Sequence, residues 1–247
     1  MRIKGILFDI NGTLIDIYTD ENYKRIYKSI SNFLSYYGVF LHHADVRREY
    51  FAILREQRRH TSEPFPEFDA NAVWREFLSR RWNHGSGLCP SRLDGLPGFL
   101  TEMFRSISRR KLKLYPGVRE VLEEQRHWRR LAALTDGQRA WAVPEMRAVG
   151  IEGFFDPIVV SGDYGYRKPD RRLFEAALHR LGLAPWEVLF VGNDMYRDVY
   201  GPKQLGIRTV FFDSNQGRKS MDGVEPDYII RSFPELRNAV DYFERTH

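Results

Sequence analysis

Short apolar runs alternate with amphipathic segments from about residue 113 to the end of the chain, and a run of the same kind opens it. No other feature limits the possible folds as much. Strand-length apolar runs separated by helical periods are the pattern of parallel strands joined by crossover helices. The runs fall at residues 3–8, 131–135, 158–161, 188–191, 209–212 and 228–230. The helical periods between them cover 117–128, 140–149, 171–181 and 198–205. Gly150, Gly182 and Gly206 stand where helix C-caps belong.

Residues 17–112 have a different texture and read as helices throughout. Tyr23, Ile26, Tyr27, Ile30, Phe33, Leu34 and Tyr37 follow helical spacing, and Gly38 stops the run. Val46, Tyr50, Ile53 and Leu54 form a second apolar face; Val73, Trp74, Phe77, Leu78 and Trp82 form a third. Leu96, Leu100, Met103, Phe104 and Ile107 form a fourth. Pro64 and Pro66 break one connection, and residues 85–90 break another. The expected architecture is α/β: a Rossmann-like parallel sheet core from residues 1–16 and 113–247, with a helical bundle of residues 17–112 inserted after the first strand.

Composition narrows the setting. With 43% hydrophobic residues a sizeable core can form. Cys89 is the one cysteine, so no intramolecular disulfide is possible, which fits a reducing compartment. No apolar run approaches the ~20 residues of a membrane span, and the first residues lack the apolar stretch and cleavage site of a signal peptide. A cytoplasmic protein with no membrane partner is expected. The net charge is +5, and residues 16–112 carry sixteen Lys/Arg against twelve Asp/Glu. No nucleic-acid motif accompanies that charge, so it reads as that of a soluble protein rich in Arg, and the excess in this segment fits a surface that meets anionic substrates. His42, His43, His60 and His84 show no zinc spacing with Cys89. The sequence gives no indication of an oligomer.

Ligands of open parallel sheets bind beyond the carboxyl ends of the strands. Asp9 follows the first run. Thr135, Asp136 and Gly137 follow the second, and Ser161, Gly162 and Asp163 the third, with Lys168 and Pro169 close behind. Gly192, Asn193 and Asp194 follow the fourth, with Asp198 one helical turn on. Singly, each is an ordinary cap or turn residue. Together they bring carboxylates, a hydroxyl and an amine to four strand ends.

These stretches, "FDINGTL", "LTDG", "YRKPDRRLF" and "VGNDMYRDVYG", resemble in order the four motifs of the haloacid dehalogenase-like hydrolase superfamily. The helical insertion after the first motif resembles the cap of its helical-bundle subgroup. The resemblance implies a hydrolase acting on small phosphorylated molecules through an aspartyl-phosphate intermediate. It makes Asp9 the nucleophile, with Asn11, Thr135 and Lys168 as its catalytic partners. The implied phosphate-binding set is Asp9, Gly12, Thr135, Asp136, Gly137 and Lys168. The implied cofactor is Mg²⁺, held by Asp9, the backbone carbonyl of Asn11, Asp194 and Asp198. Thr13 would fix the loop.

Asn11 departs from the pattern. Phosphatases of this superfamily carry an acid two residues after the nucleophile, which protonates the leaving group and then activates water. An amide can do neither, so turnover is expected to be slow. Two alternatives stay open. One is the metal-independent 2-haloacid dehalogenase branch, whose leaving halide needs no acid, although the acidic pair Asp194 and Asp198 departs from that branch. The other is a binding or regulatory member without turnover.

Overall fold

The computed structural model describes residues 3–81 and 94–245. Trp82, His84, Cys89 and the expected break at 85–90 lie outside the described residues. The strands are β1 (Gly5–Phe8), β2 (Ile15–Thr19), β3 (Arg109–Leu114), β4 (Arg130–Thr135), β5 (Ile158–Val160), β6 (Val188–Gly192), β7 (Arg208–Phe212) and β8 (Tyr228–Ile230). The longer described α-helices are α1 (Lys24–Ser35), α2 (His43–Arg59), α3 (Ala70–Ser79), α4 (Leu96–Ser108), α5 (Val118–Gln125), α6 (Arg139–Ala148), α7 (Arg171–Leu181) and α8 (Leu236–Arg245). The chain divides into two compact units, Met1–Ile17 with Leu112–His247, and Tyr18–Lys111.

The larger unit is a six-stranded sheet in the order β5-β4-β1-β6-β7-β8, parallel throughout. The side-chain period of two splits each central strand between two cores. Ile6, Phe8, Leu131, Ala133, Leu189 and Val191 pack on one face with α5 and α8. Leu7, Ala132, Leu134, Val188 and Phe190 pack on the other with α7. Burial on both faces explains why these strands read as continuous apolar runs. The strand β1 lies between β4 and β6, and the chain builds outward from it first on one side and then on the other. That reversal of strand order opens a crevice at the carboxyl ends. Asp9 sits there, its backbone N–H donating to the Val191 carbonyl at 2.9 Å.

The smaller unit contains α1 to α4. Its core is aromatic. Trp74, fully buried on α3, lies 4.8 Å from the Tyr50 ring and 5.4 Å from Phe77, and Tyr50 stacks on Phe104 at 4.7 Å. Asp69 caps α3 by accepting from the Ala72 N–H at 2.9 Å.

The structure differs from the sequence reading at four places. Residues 17–112 were expected to be helical throughout, yet β2 and β3 overlap the two ends of that span and pair as a two-stranded ribbon. Ile15 and Ile17 alternate with polar residues, and in β3 the alternation is hidden inside a run of Arg and Lys. The helix expected at 198–205 is a π-helical segment, Met195–Tyr200, followed by one α-helical turn, Gly201–Lys203. The helix α8 was not anticipated.

Gly12 illustrates how closely the elements approach. It adopts φ +87°, and a Cβ there would lie 2.4 Å from Asn193 Nδ2. Gly12→Ala is therefore expected to cost more than the ~1–2 kcal/mol of a left-handed backbone alone, read as a lowered thermal midpoint. Trp74→Ala is expected to destabilise the smaller unit by about 3–5 kcal/mol, measured as a lower urea midpoint; an unchanged midpoint would show that the aromatic cluster is not its core.

Candidate active site

Asp9 is buried at the end of the central strand. Its Oδ1 accepts from Lys168 Nζ at 2.7 Å, and its Oδ2 lies 2.9 Å from Thr13 Oγ1. Lys168 arrives from the segment after β5, and its ammonium also donates to Asp198 Oδ1 at 2.6 Å. All three groups are almost wholly removed from solvent. Burial works against the Lys168 charge, but Asp198, Asp9 and Asp136 outweigh it and hold the lysine more firmly protonated than usual. One cation cannot fully compensate two carboxylates. Burial, with the charge of Asp9 added, raises the Asp198 pKa while Lys168 opposes the rise.

Asp198 is fixed from the other side as well. Its Oδ2 accepts from the backbone N–H groups of Asn193 and Asp194, each at 3.1 Å. The carboxylate packs so tightly on the end of β6 that a Cβ on Gly192 would lie 2.3 Å from Asp198 Cβ. Only glycine fits there.

Asp194 turns elsewhere. Its Oδ1 caps the π-helical segment by accepting from the N–H groups of Tyr196 and Arg197. Its Oδ2 accepts from Arg197 Nη2 at 2.9 Å and from the Arg218 N–H at 3.0 Å. Burial disfavours this carboxylate, but the guanidinium and the backbone donors prevail and bring its pKa down to about 2. The side chain that reaches the Asp9 loop is its neighbour. Asn193 is buried, and its Oδ1 lies 3.0 Å from the same Thr13 hydroxyl that bonds Asp9. The sequence reading names Asn193 among the residues after the fourth run but gives it no role. The signal was available: it is the first polar side chain after β6, at the level where Asp9 follows β1.

The second strand end is partly engaged. Thr135 is fully buried, and its hydroxyl makes one long bond, 3.4 Å, to the Asp136 carbonyl. The Gly137 N–H already donates to Ser161 Oγ at 2.8 Å. Asp136 Oδ1 accepts from the Lys168 backbone N–H at 3.0 Å and so anchors the lysine's loop, while its Oδ2 is buried without a hydrogen bond among the described residues. Burial raises the Asp136 pKa. Arg197 Nη1 lies 3.8 Å from this carboxylate and links it to Asp194.

Asn11 Oδ1 is buried with no hydrogen-bond partner among the described residues. No group of three or more His, Cys, Asp or Glu that could hold a metal occurs among them. No described helix is long and apolar enough to cross a membrane.

The arrangement presents one carboxylate, one ammonium and several amide and hydroxyl oxygens to a crevice at strand ends. Known proteins are similar to this chain in sequence and in fold. The chain is 34% identical over 153 residues to a phosphoserine phosphatase of Thermus thermophilus, a match that covers 60% of this chain and spans only 59% of that enzyme. It is 27% identical over 245 residues to the pyrophosphatase PpaX of Halalkalibacterium halodurans, covering 97% of this chain and 98% of the relative. A solved 2-haloacid dehalogenase of Pseudomonas syringae superposes with a TM-score of 0.70 over 98% of this chain and 99% of its own, at 21% identity, a likeness of fold. The family model for haloacid dehalogenase-like hydrolases matches residues 3–206, and the chain belongs to that family.

Proposed function

We propose that this protein is a phosphohydrolase that attacks small phosphorylated substrates with the Asp9 carboxylate. The observation that carries this reading is the clamp on Asp9: Lys168 Nζ at 2.7 Å on one oxygen and Thr13 Oγ1 at 2.9 Å on the other. A nucleophile held this way keeps its orientation, and the ammonium offsets repulsion between carboxylate and phosphate. The phosphatase relatives support the reaction class.

In the first step an Asp9 oxygen bonds to phosphorus and the bond to the leaving oxygen breaks, giving an aspartyl phosphate and an alkoxide. Lys168 and the Thr135 hydroxyl would meet the phosphoryl oxygens. In the second step water displaces Asp9 and releases phosphate. Asn11 carries no ionisable proton at this pH range, so it neither protonates the alkoxide nor draws a proton from water. Phosphoesters with good leaving groups and acyl phosphates are therefore the favoured substrates. The compact helical unit Tyr18–Lys111 supports a cap that sets the choice among them.

The donor chemistry suits Mg²⁺. The Asp9 carboxylate and the oxygens of Asn11 and Asn193 are hard ligands of the type it takes, and Asn11 Oδ1 has no other partner among the described residues. When bound, the ion would neutralise charge on the transferring phosphoryl group. Asp194 and Asp198, expected to join the metal set, are engaged by Arg197, Arg218, Lys168 and backbone donors.

A second reading draws on two observations: the side chain that shares the Thr13 hydroxyl with Asp9 is an amide, Asn193, and Lys168 already supplies a cation. Attack on a carbon that bears halide needs neither acid nor metal. Chloride release from 2-chloropropionate in EDTA would favour it over phosphate release in Mg²⁺.

Asp9→Asn is expected to abolish both phosphate release and the mass increase of the phosphoenzyme. Asn11→Asp is expected to raise turnover on alkyl phosphates by an appreciable part of the ~10²–10⁴ that general acid–base catalysis supplies, with a smaller gain on p-nitrophenyl phosphate. Equal rates for the variant and the parent on every phosphoester would sink the missing-acid account. Lys168→Met leaves two buried carboxylates uncompensated, and a loss of about 3–5 kcal/mol is expected in chemical denaturation.

A further inference from the structure

We propose that Asn193, with Asn11, sets the divalent-cation affinity of the Asp9 site and holds it low. The inference rests on the phosphohydrolase reading and deepens it.

Three observations carry it. First, Asn193 Oδ1 and Asp9 Oδ2 are both neighbours of Thr13 Oγ1, at 3.0 and 2.9 Å. A single hydroxyl proton serves at most one of them, so two oxygens with spare lone pairs face the same small space. Second, the amide is built into the loop that carries the nucleophile. A Cβ on Gly12 would lie 2.4 Å from Asn193 Nδ2, and one on Gly217 would lie 2.7 Å from the same atom. Asn193 thus has no room to turn away. Third, the acids that follow it in the chain already have several donors each. Asp194 accepts from Tyr196, Arg197 and Arg218, and Asp198 from Lys168 and two backbone N–H groups.

The local charge follows. The Lys168 ammonium is shared between the carboxylates of Asp9 and Asp198, and positions 11 and 193 add oxygen but no charge. Asn and Asp side chains have nearly the same size and shape, so the exchange changes charge with little change in volume. Hard cations bind more tightly as ligand charge rises. The chain therefore keeps the shape of a cation site while omitting two of the charges that would fill it at low concentration.

The test is calorimetric titration of MgCl₂ and MnCl₂ into the full chain and its N193D and N11D/N193D variants, with folding checked by circular dichroism in EDTA. N193D is expected to bind at least ~10-fold more tightly, and the double variant more tightly still, because each step adds a carboxylate charge to the oxygen set. Unchanged affinity in N193D overturns the proposal. If N193D does not fold, Asn193→Ala replaces it: weaker binding than the parent supports the proposal, and equal binding overturns it. Intact mass after treatment with acetyl phosphate reads the phosphohydrolase reading separately. A variant that binds metal tightly yet forms no Asp9 adduct would remove that reading and leave the metal assignment standing.

Discussion

One ammonium inside the protein holds two carboxylates. Lys168 sits within 2.7 Å of Asp9 and 2.6 Å of Asp198, and water scarcely reaches any of the three. Two carboxylates in such surroundings repel one another. Without the lysine, the end of β1 and the turn after β6 could not both present charge to the same crevice. The rest of the site is arranged around this triad. Thr13 fixes the free oxygen of Asp9, two backbone N–H groups fix the free oxygen of Asp198, and Asp136 anchors the backbone of the lysine itself.

The sheet makes this convergence possible. Parallel strands end on the same side, so residues separated by 159 positions in the chain, Asp9 and Lys168, meet without any unusual backbone path. Close approach requires small residues at the crossing points. Gly12, Gly192 and Gly217 each lack the Cβ that would strike Asn193 or Asp198. The loop that holds Gly217 also supplies the Arg218 N–H to Asp194 and accepts from the Met195 N–H, which draws Asp194 away from the nucleophile.

Much of this was legible from residue order. The parallel core strands announced themselves because burial on both faces leaves uninterrupted apolar runs, and Gly182 marks the end of α7 as a left-handed cap at φ +64°. The helices of the insertion were legible through aromatic residues at helical spacing. The ribbon of β2 and β3 was not, because its alternation is short and, in Arg109–Leu114, made of charged residues that look like a solvated helix face. The π-helical turn at Met195–Tyr200 was also hidden. Its sequence is compatible with an ordinary helix, and the widening depends on where Asp194 and Asp198 find their donors.

The sequence by itself determined the α/β class and the polar residues that stand at strand ends, because periodicity and strand length are local properties of the chain. It also determined that position 11 is an amide. Only the tertiary structure decided which of the adjacent residues Asn193 and Asp194 faces the nucleophile. Neighbouring side chains at a strand end leave in different directions, and the choice was made by Thr13 and the Gly12 backbone on one side and by Arg197 and Arg218 on the other. The oxygen beside Asp9 is therefore neutral, although the motif that supplies it is acidic.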